Sequence, residues 1–304
     1  MLKTLAALLL LALPAEARIL EAGTGHTYPL PSAAIAAASA GDTVRIYPGQ
    51  YFDCATVTAS PLTIEGVGDP ATIALTDKAC GGKALLVADG AHLTVRNLTL
   101  TRARVPDGNG AGIRAEGGDL TVEGVRFVNN QDGILTNDSP TMVVNISRSQ
   151  FIKNGTCLDY CAHGIYAGHI AALVVHDSVF RETKQGHDIK SRALRTEVVG
   201  CDIANGPAGT GSYLIEVPNG GAVIVRGNTL EKGPNAGNHT AAISIGAEGI
   251  TQPTPEITVE DNRFANDGDY HTVLVNNMTA TEAALKGNRL SGAAEPLRGD
   301  GSSQ

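Results

Sequence analysis

Two histidines set the chemical question. His163 and His187 each stand two residues ahead of an isoleucine, in Ala162-His163-Gly164-Ile165-Tyr166 and Gly186-His187-Asp188-Ile189-Lys190. Segments of the same form flank them: Gln131-Asp132-Gly133-Ile134-Leu135 before, and Ser212-Tyr213-Leu214-Ile215-Glu216 after. If the isoleucines point inward on stacked strands, the next residue of each faces solvent. Arg114, Leu135, Tyr166, Lys190 and Glu216 then form one outer column, with Asp132, His163, His187 and Tyr213 beside it. Such a mixture suits abstraction of the proton alpha to a sugar carboxylate. That step needs a base near neutral pKa and cations to neutralise the carboxylate. His163 or His187 could be the base, Lys190 and Arg192 the cations, and Tyr166 a stacking surface or proton donor. Asp132, Asp188, Tyr213, Glu216, Lys184 and Arg114 are the expected substrate contacts. The segment from Arg181 to Arg195 carries Arg181, Lys184, Lys190, Arg192 and Arg195 against only Glu182 and Asp188. A basic patch on a chain of net charge −8 suits a polyanionic glycan. The plainer alternative is that Asp and His open turns while Lys and Arg solvate a face. The coincidence of these residue types on successive segments favours a site.

What must position them is a repeat. The unit apolar-x-(Gly/Asn/Asp)-x-x-(Leu/Phe/Ile) starts at Val95, Val122, Ile146, Val175, Val198, Val225, Val259 and Leu285, with a degenerate copy at Ile64. Arg148 departs from the pattern at its turn position. Successive starts are 31, 27, 24, 29, 23, 27, 34 and 26 residues apart. Apolar residues alternate with period two, and Gly and Asn interrupt most units, which excludes a helical repeat. No Leu-x-x-Leu-x-Leu pattern appears. Three short strands and their turns use about this many residues, so each unit is one turn of a parallel β-helix. Ile113, Ile134, Ile165, Ile189, Ile215 and Ile243 form a second, inward ladder. Asn97, Asp177 and Asp261, with Gly124, Gly200, Gly227 and Gly287, mark a tight left-handed turn.

The ends and the cysteines add boundaries. Lys3, the apolar run Leu5 to Leu13 and Ala15-Glu16-Ala17 read as a signal peptide over residues 1–17. The expected compartment is therefore the periplasm or the exterior, with no membrane association after cleavage. Residues 31–40 read as a short helix that caps the open end of the β-helix. The β-helix domain spans 18–292, and 293–304 reads as a disordered tail. Net charge −8 excludes broad nucleic-acid or anionic-membrane binding, and a monomer is expected. Cys54 and Cys80 lie about one repeat apart and could bridge neighbouring coils. Cys157 and Cys161 could close a short loop, or join His163 at a zinc ion, although no second Cys/His pair completes four ligands. Cys201 is left over in a repeat position that looks structural. Asp261, Asp267, Asp269 and His271 could hold a cation in a loop, against the plainer reading of a solvated turn.

The cap segment, Gly41-Asp42-Thr43, Pro48-Gly49-Gln50-Tyr51 and the coils together resemble the pectin-lyase-like superfamily. The resemblance spans nearly the whole chain after residue 17. It implies an all-β fold: a single-stranded right-handed parallel β-helix, a solenoid with a short N-terminal capping helix. One fold hosts many chemistries, so it implies less about reaction. Polygalacturonase-type hydrolases of the superfamily carry Asn-Thr-Asp, Asp-Asp, Gly-His-Gly and Arg-Ile-Lys. Here Asp132 is similar to the first aspartate and Gly186-His187 to the Gly-His pair, but Ala162-His163 replaces Asp-Asp and no Arg-Ile-Lys follows. An inverting hydrolase needs two carboxylates across the bond, which disfavours hydrolysis. Alginate C5-epimerases use Asp-Pro-His-Asp, of which Gln185-Gly186-His187-Asp188 keeps the His-Asp half. That similarity implies His187 as base and Arg192 as neutraliser. Pectate lyases bind calcium through acidic groups, for which Asp132, Asp188 and Glu216 are the candidates. The ladder is more cationic than a calcium site should be, so no cofactor is the first expectation and calcium the second.

The sequence thus predicts an exported protein acting on a uronate-containing polysaccharide by proton abstraction, as a lyase or epimerase. Two alternatives stand beside it. One is a non-catalytic glycan-binding or structural surface β-helix, and the other a polygalacturonase-like hydrolase. The inserts Ile152 to Tyr160 and Asn235 to Gln252 should wall the groove if catalysis is right.

Overall fold

The computed structural model describes residues 16–304. Of the predicted signal segment, residues 1–15 lie outside the described residues. The rest is a parallel β-solenoid of about ten turns. Three sheets of 12, 10 and 10 strands run along it, and a complete coil gives one strand to each.

Register follows the repeat. In the first sheet Val95, Val122, Ile146, Val175, Val198, Val225, Val259 and Leu285 are successive partners. Ile64 pairs with Val95, so the degenerate copy is a true coil. In another sheet Leu100, Phe127, Phe151, Phe180, Ile203, Leu230, Phe264 and Leu290 stack in turn. The Phe151 ring lies 4.7 Å from Phe127 and 4.6 Å from Phe180. The remaining ten-stranded sheet carries the isoleucine ladder, with Ile113, Ile134, Ile165, Ile189, Ile215 and Ile243 in one register. All six are fully buried.

Between the first two sheets the chain turns through one left-handed residue per coil. Asn97, Gly124, Arg148, Asp177, Gly200, Gly227, Asp261 and Gly287 all have φ between 48° and 66°. Gly, Asn and Asp adopt this region at least cost. Arg148 adopts it as well, at φ 49°, and its guanidinium pairs with Glu123 of the coil before. The next residue is the apolar Leu98 or Val125 in the earlier coils, but from Ser149 onward (Ser149, Ser178, Cys201, Asn228, Asn262, Asn288) it forms an inner polar ladder that the repeat alone does not announce. Cys201 N donates to Asn228 Oδ1 (2.8 Å), Asn228 N to Asn262 Oδ1 (2.9 Å) and Asn262 N to Asn288 Oδ1 (3.0 Å). Each side chain thereby satisfies a backbone donor that the corner leaves free. Cys201 occupies one rung, and burial pushes its thiol up to about 12, so it is packed and inert.

The ends close differently. Helix Pro31–Ala37 buries Pro31, Ala34 and Ile35 and packs against strands Ile19–Ala22, Thr43–Ile46 and Ala55–Val57. At the other end, residues expected to be a disordered tail instead form strands. Ala294–Arg298 pairs with Thr272–Asn277, and Gly301–Ser303 with Ala283–Lys286. Leu297 and Ala294 pack on the core, which gives the segment the apolar anchor that its polar composition obscures. Disulfides join Cys54 to Cys80 and Cys157 to Cys161. The second excludes the zinc reading, since both sulfurs are bonded to each other. Among the described residues, no group of three His, Cys, Asp or Glu side chains is placed to hold a metal ion. His271 faces Glu295 instead. No described helix is long and apolar enough to cross a membrane.

Phe151 is the middle of the stacked triplet and fully buried. Phe151→Ala should therefore cost about 3–5 kcal/mol, because both neighbours lose a ring face and a cavity remains. A denaturant midpoint unchanged from the parent would show that the core repacks freely there.

Candidate functional site

The isoleucine sheet fixes where its neighbours go. Two positions ahead of each isoleucine, Asp132, His163, His187 and Tyr213 fall in one column, and each of the first three side chains accepts the backbone N–H of the next residue in it. His163 N donates to Asp132 Oδ1 (2.6 Å), His187 N to His163 Nδ1 (2.9 Å) and Tyr213 N to His187 Nδ1 (3.1 Å). The rings stack accordingly, His163 on His187 at 4.8 Å and His187 on Tyr213 at 5.2 Å. An Nδ1 that accepts a backbone N–H carries no proton, so each neutral ring bears its proton on Nε2.

This tautomer changes the roles. His187 Nδ1 accepts from Tyr213 N and its Nε2, 3.1 Å from Glu216 Oε2, carries the proton of the neutral ring, so that ring has no free lone pair for substrate. The expectation of His187 as base is corrected on this ground. His163 Nε2 belongs to a ring that lines the groove, where it is a donor rather than a base. Burial holds the His163 imidazole well below its ordinary range, and the nearby His187, Lys190 and Arg192 act in the same direction. Asp132 is buried beneath it, and burial raises its carboxyl well above the usual range.

The groove has a volume of about 1020 Å³. Asp132, His163, His187, Tyr166, Lys190, Arg192 and Arg114 all line it, as the sequence grouped them. Its walls include Asp159, Tyr160 and Glu248, from the two inserts named above. Arg192 is the hub. Its Nε donates to the Tyr166 hydroxyl (2.9 Å), its Nη1 to Asn219 Oδ1, and its Nη2 lies 2.6 Å from Glu248 Oε2. Lys190 Nζ sits between Glu248 Oε1 at 2.6 Å and Glu216 Oε2 at 2.8 Å. Burial works against ionised Glu216, but His187 and Lys190 outweigh it and hold its carboxyl at about 2. Glu248 is likewise held below the carboxylate range by Lys190 and Arg192, against partial burial.

Four expected contacts lie elsewhere. Asp188 is fully buried, accepts from Thr183 Oγ1 (2.5 Å) and faces the interior charge of Lys232. Burial raises Asp188 to about 7 and lowers Lys232 to about 8. Regular pairing starts only at Ile189, so strand parity does not govern Asp188. Lys184 Nζ bonds Asn129 Oδ1 (2.5 Å) away from the groove. Glu216 is 4% exposed and lies under Lys190, and Tyr213 continues the ring stack without lining the cavity. With Asp188 inside and Glu216 occupied, the proposed calcium set of Asp132, Asp188 and Glu216 does not converge. The outer column is also more covered than expected, with Leu135 and Lys190 only 8% and 9% exposed. Glu248 was missed by the sequence reading. Its one signal is the 34-residue step from Val225 to Val259, which marks an insert without saying which side chain it delivers.

The folded chain resists a proton on His163 that the unfolded chain takes up as pH falls through about 6.5. Stability must therefore fall with pH in the window below that value. His163→Asn keeps an acceptor for His187 N and removes the titrating ring. Between pH 7 and 5 the variant should lose less stability than the parent, a difference of up to about 1.4 kcal/mol per pH unit. Parallel acid limbs in denaturant titrations would show that the folded protein protonates His163 readily.

No family model matches the chain, and no curated protein matches it. Several solved structures do. The ORF18 product of Geobacillus virus E2 superposes with a TM-score of 0.53 at 14% identity, over 88% of this chain and 55% of that one. The chain thus spans about half the length of the viral protein. A pectin methylesterase from Aspergillus niger gives a TM-score of 0.46 at 12% identity, over 95% and 92% of the two chains. The A-module of a mannuronan C-5 epimerase from Azotobacter vinelandii gives 0.43 at 13% identity, over 90% and 94%. At such identities the likeness is one of fold alone, and by its own three parallel sheets the chain is a parallel β-solenoid.

Proposed function

We propose that the groove binds a uronate-containing polysaccharide and removes the proton alpha to its carboxylate, as a lyase or a C5-epimerase. The observation that carries this reading is the Tyr166–Arg192–Lys190 cluster beside the His163 ring in a single groove. The chemistry needs a base, a neutraliser for the developing enolate and a proton donor. Tyr166 takes the role first expected of a histidine. Its oxygen accepts from Arg192 Nε, a charge-assisted bond that is strongest when the oxygen is anionic. Lys190 and Arg192 hold the carboxylate, and the charge that spreads onto it in the transition state is stabilised by both. His163 Nε2–H donates to the carboxylate or to the departing oxygen. A lyase passes the proton taken by Tyr166 to the leaving oxygen, whereas an epimerase adds a proton from solvent to the opposite face of C5 and Tyr166 releases its own to solvent.

Glu248 occupies the place of the substrate carboxylate. It bridges Lys190 and Arg192 at 2.6 Å each, is 41% exposed, and rides on a turn with Gly246 and Gly249 at φ 86° and 88°. An incoming uronate exchanges one carboxylate for another at the same two cations, so the groove's charge balance is kept. The two disulfides fit an exported protein, in the periplasm or outside the cell. One observation favours a second reading, a non-catalytic glycan-binding module: both histidine Nδ1 atoms are committed to backbone donors.

The two readings separate on incubation with polymannuronate, polygalacturonate and related polyuronates. Absorbance of the unsaturated product reports lysis, and proton NMR reports inversion at C5. Tyr166→Phe and Arg192→Ala should each lower kcat by about 100-fold or more. Binding without turnover of any polymer would leave the module reading. Glu248→Gln should lower KM about tenfold with kcat little changed, because a neutral amide competes poorly for two cations. A raised KM would show that Glu248 helps to hold substrate instead of standing in for it.

A further inference from the structure

Tyr160 is 86% exposed, more than any other large apolar side chain of the described residues. The chain has seven Tyr, five Phe and no Trp, and four of the phenylalanines are buried in the core. An aromatic ring left in water contributes nothing to folding, yet the loop that carries it is firmly held. Thr156–Cys157 and Cys161–Ala162 pair as a two-rung antiparallel ladder, and a disulfide closes it. Leu158 N donates to Tyr160 O across the tip (3.1 Å). Cys157 N donates to Gln185 Oε1 of the next coil (2.7 Å). Leu158 lies against Gly108, where a Cβ would fall 2.9 Å from its Cδ1. Gly108 itself sits at φ 81°, a backbone conformation that glycine adopts at least cost, so the two loops meet at a fixed turn. Asp159, Tyr160, Asn109 and Glu248 all line the groove.

We propose that this loop is a sugar subsite, with Tyr160 as a platform for the C–H face of a pyranose ring. The proposal rests on reading the groove as a polysaccharide site, and adds a binding position beyond the reacting residue. Tyrosine offers a large, rigid, amphipathic surface at low entropic cost. Anchoring the loop beforehand removes the ordering cost that a flexible platform would meet on binding. Asp159 at the tip repels a carboxylate. The ring held here presents its hydroxyls to Asp159 and Asn109, with its carboxylate turned to solvent, or carries no charge. The cations at the centre and the acid at the rim therefore select different faces of successive sugars. The Cys157–Cys161 bond serves binding more than stability, since a loop this short loses little chain entropy on closure.

Isothermal titration of the full chain with uronate trimers and hexamers tests this. Tyr160→Ala should weaken hexamer binding about tenfold, the scale expected for loss of one aromatic stacking contact. Tyr160→Phe should stay within about twofold of the parent. The trimer, with fewer rings to lay over the loop, should lose less affinity than the hexamer on Tyr160→Ala. A Cys157→Ser/Cys161→Ser variant should weaken the hexamer in the same direction with Tyr160 intact, while the Cys54–Cys80 bond remains. The thermal midpoint of Tyr160→Ala should match the parent, because so exposed a ring supports nothing. If parent and Tyr160→Ala bind the hexamer equally, the subsite is wrong while the groove reading stands. If no uronate oligomer binds the parent, the groove reading itself fails.

Discussion

Everything in this molecule depends on stacking in register at the parallel-sheet spacing of about 4.8 Å. A coil has no independent core, so its apolar residues are buried only when the next coil lays equivalent residues over them. A slip of one residue would turn every isoleucine of the ladder outward. The left-handed corner residue prevents this by fixing where each strand starts. Its strength shows at Arg148, where the residue type is unfavourable and the conformation is kept. Variable coil length is absorbed elsewhere, in loops between strands. Residues 132, 163, 187 and 213 therefore come to lie one above another although their separations in sequence differ.

The same constraint explains what the sequence makes legible. Ladder residues are legible because their neighbours are chosen by period alone: Ile113 to Ile243, Phe127 to Phe180, and the corner column all fall where the repeat puts them. So does the grouping of Asp132, His163 and His187. Asp188 was misplaced because alternation was carried into a turn, where strand parity has no force. Glu248 and Tyr160 were illegible for another reason. Their positions depend on how inserts fold back over the sheet, and Glu248 reaches Lys190 across 58 residues of sequence. The strands after Gly292 were hidden by polar composition, because pairing with an existing edge asks little of side chains. Asn228 and Asn262, each next to a corner residue, go unread because the repeat marks the corner and not the buried rung beside it that satisfies a backbone donor.

Charge balance in the groove follows from burial. Lys190 and Glu216 are almost withdrawn from water, and an ion so placed is tolerated only beside an opposite charge. Glu216 serves Lys190 from beneath, so among Lys190, Glu216 and Arg192 the guanidinium of Arg192 is the single uncompensated positive charge facing the cavity. An anion is needed there in every state of the protein, and Glu248 supplies it when no other is present. A carboxylate is thus part of the groove's resting electrostatics, which is what the proposed uronate binding builds on, and the exposed, glycine-flanked Glu248 is the partner cheapest to displace.

The histidine ladder joins the structural and chemical roles that the sequence reading set against each other. Each Nδ1 takes a backbone N–H from the coil above, just as Asp132 does from His163, so the rings are parts of the wall. Accepting that bond removes the lone pair a general base would use and assigns the proton to Nε2. For His187 the proton faces Glu216 and is internal. For His163 it belongs to a ring at the cavity surface, and burial keeps that ring neutral. A neutral donor held at fixed height beside Arg192 and Lys190 can stabilise a growing negative charge without itself adding a buried cation to the groove. The stacking that fixes the coils is therefore also what fixes the tautomer, and it moves the search for a base from the histidines to the one hydroxyl that Arg192 holds, Tyr166.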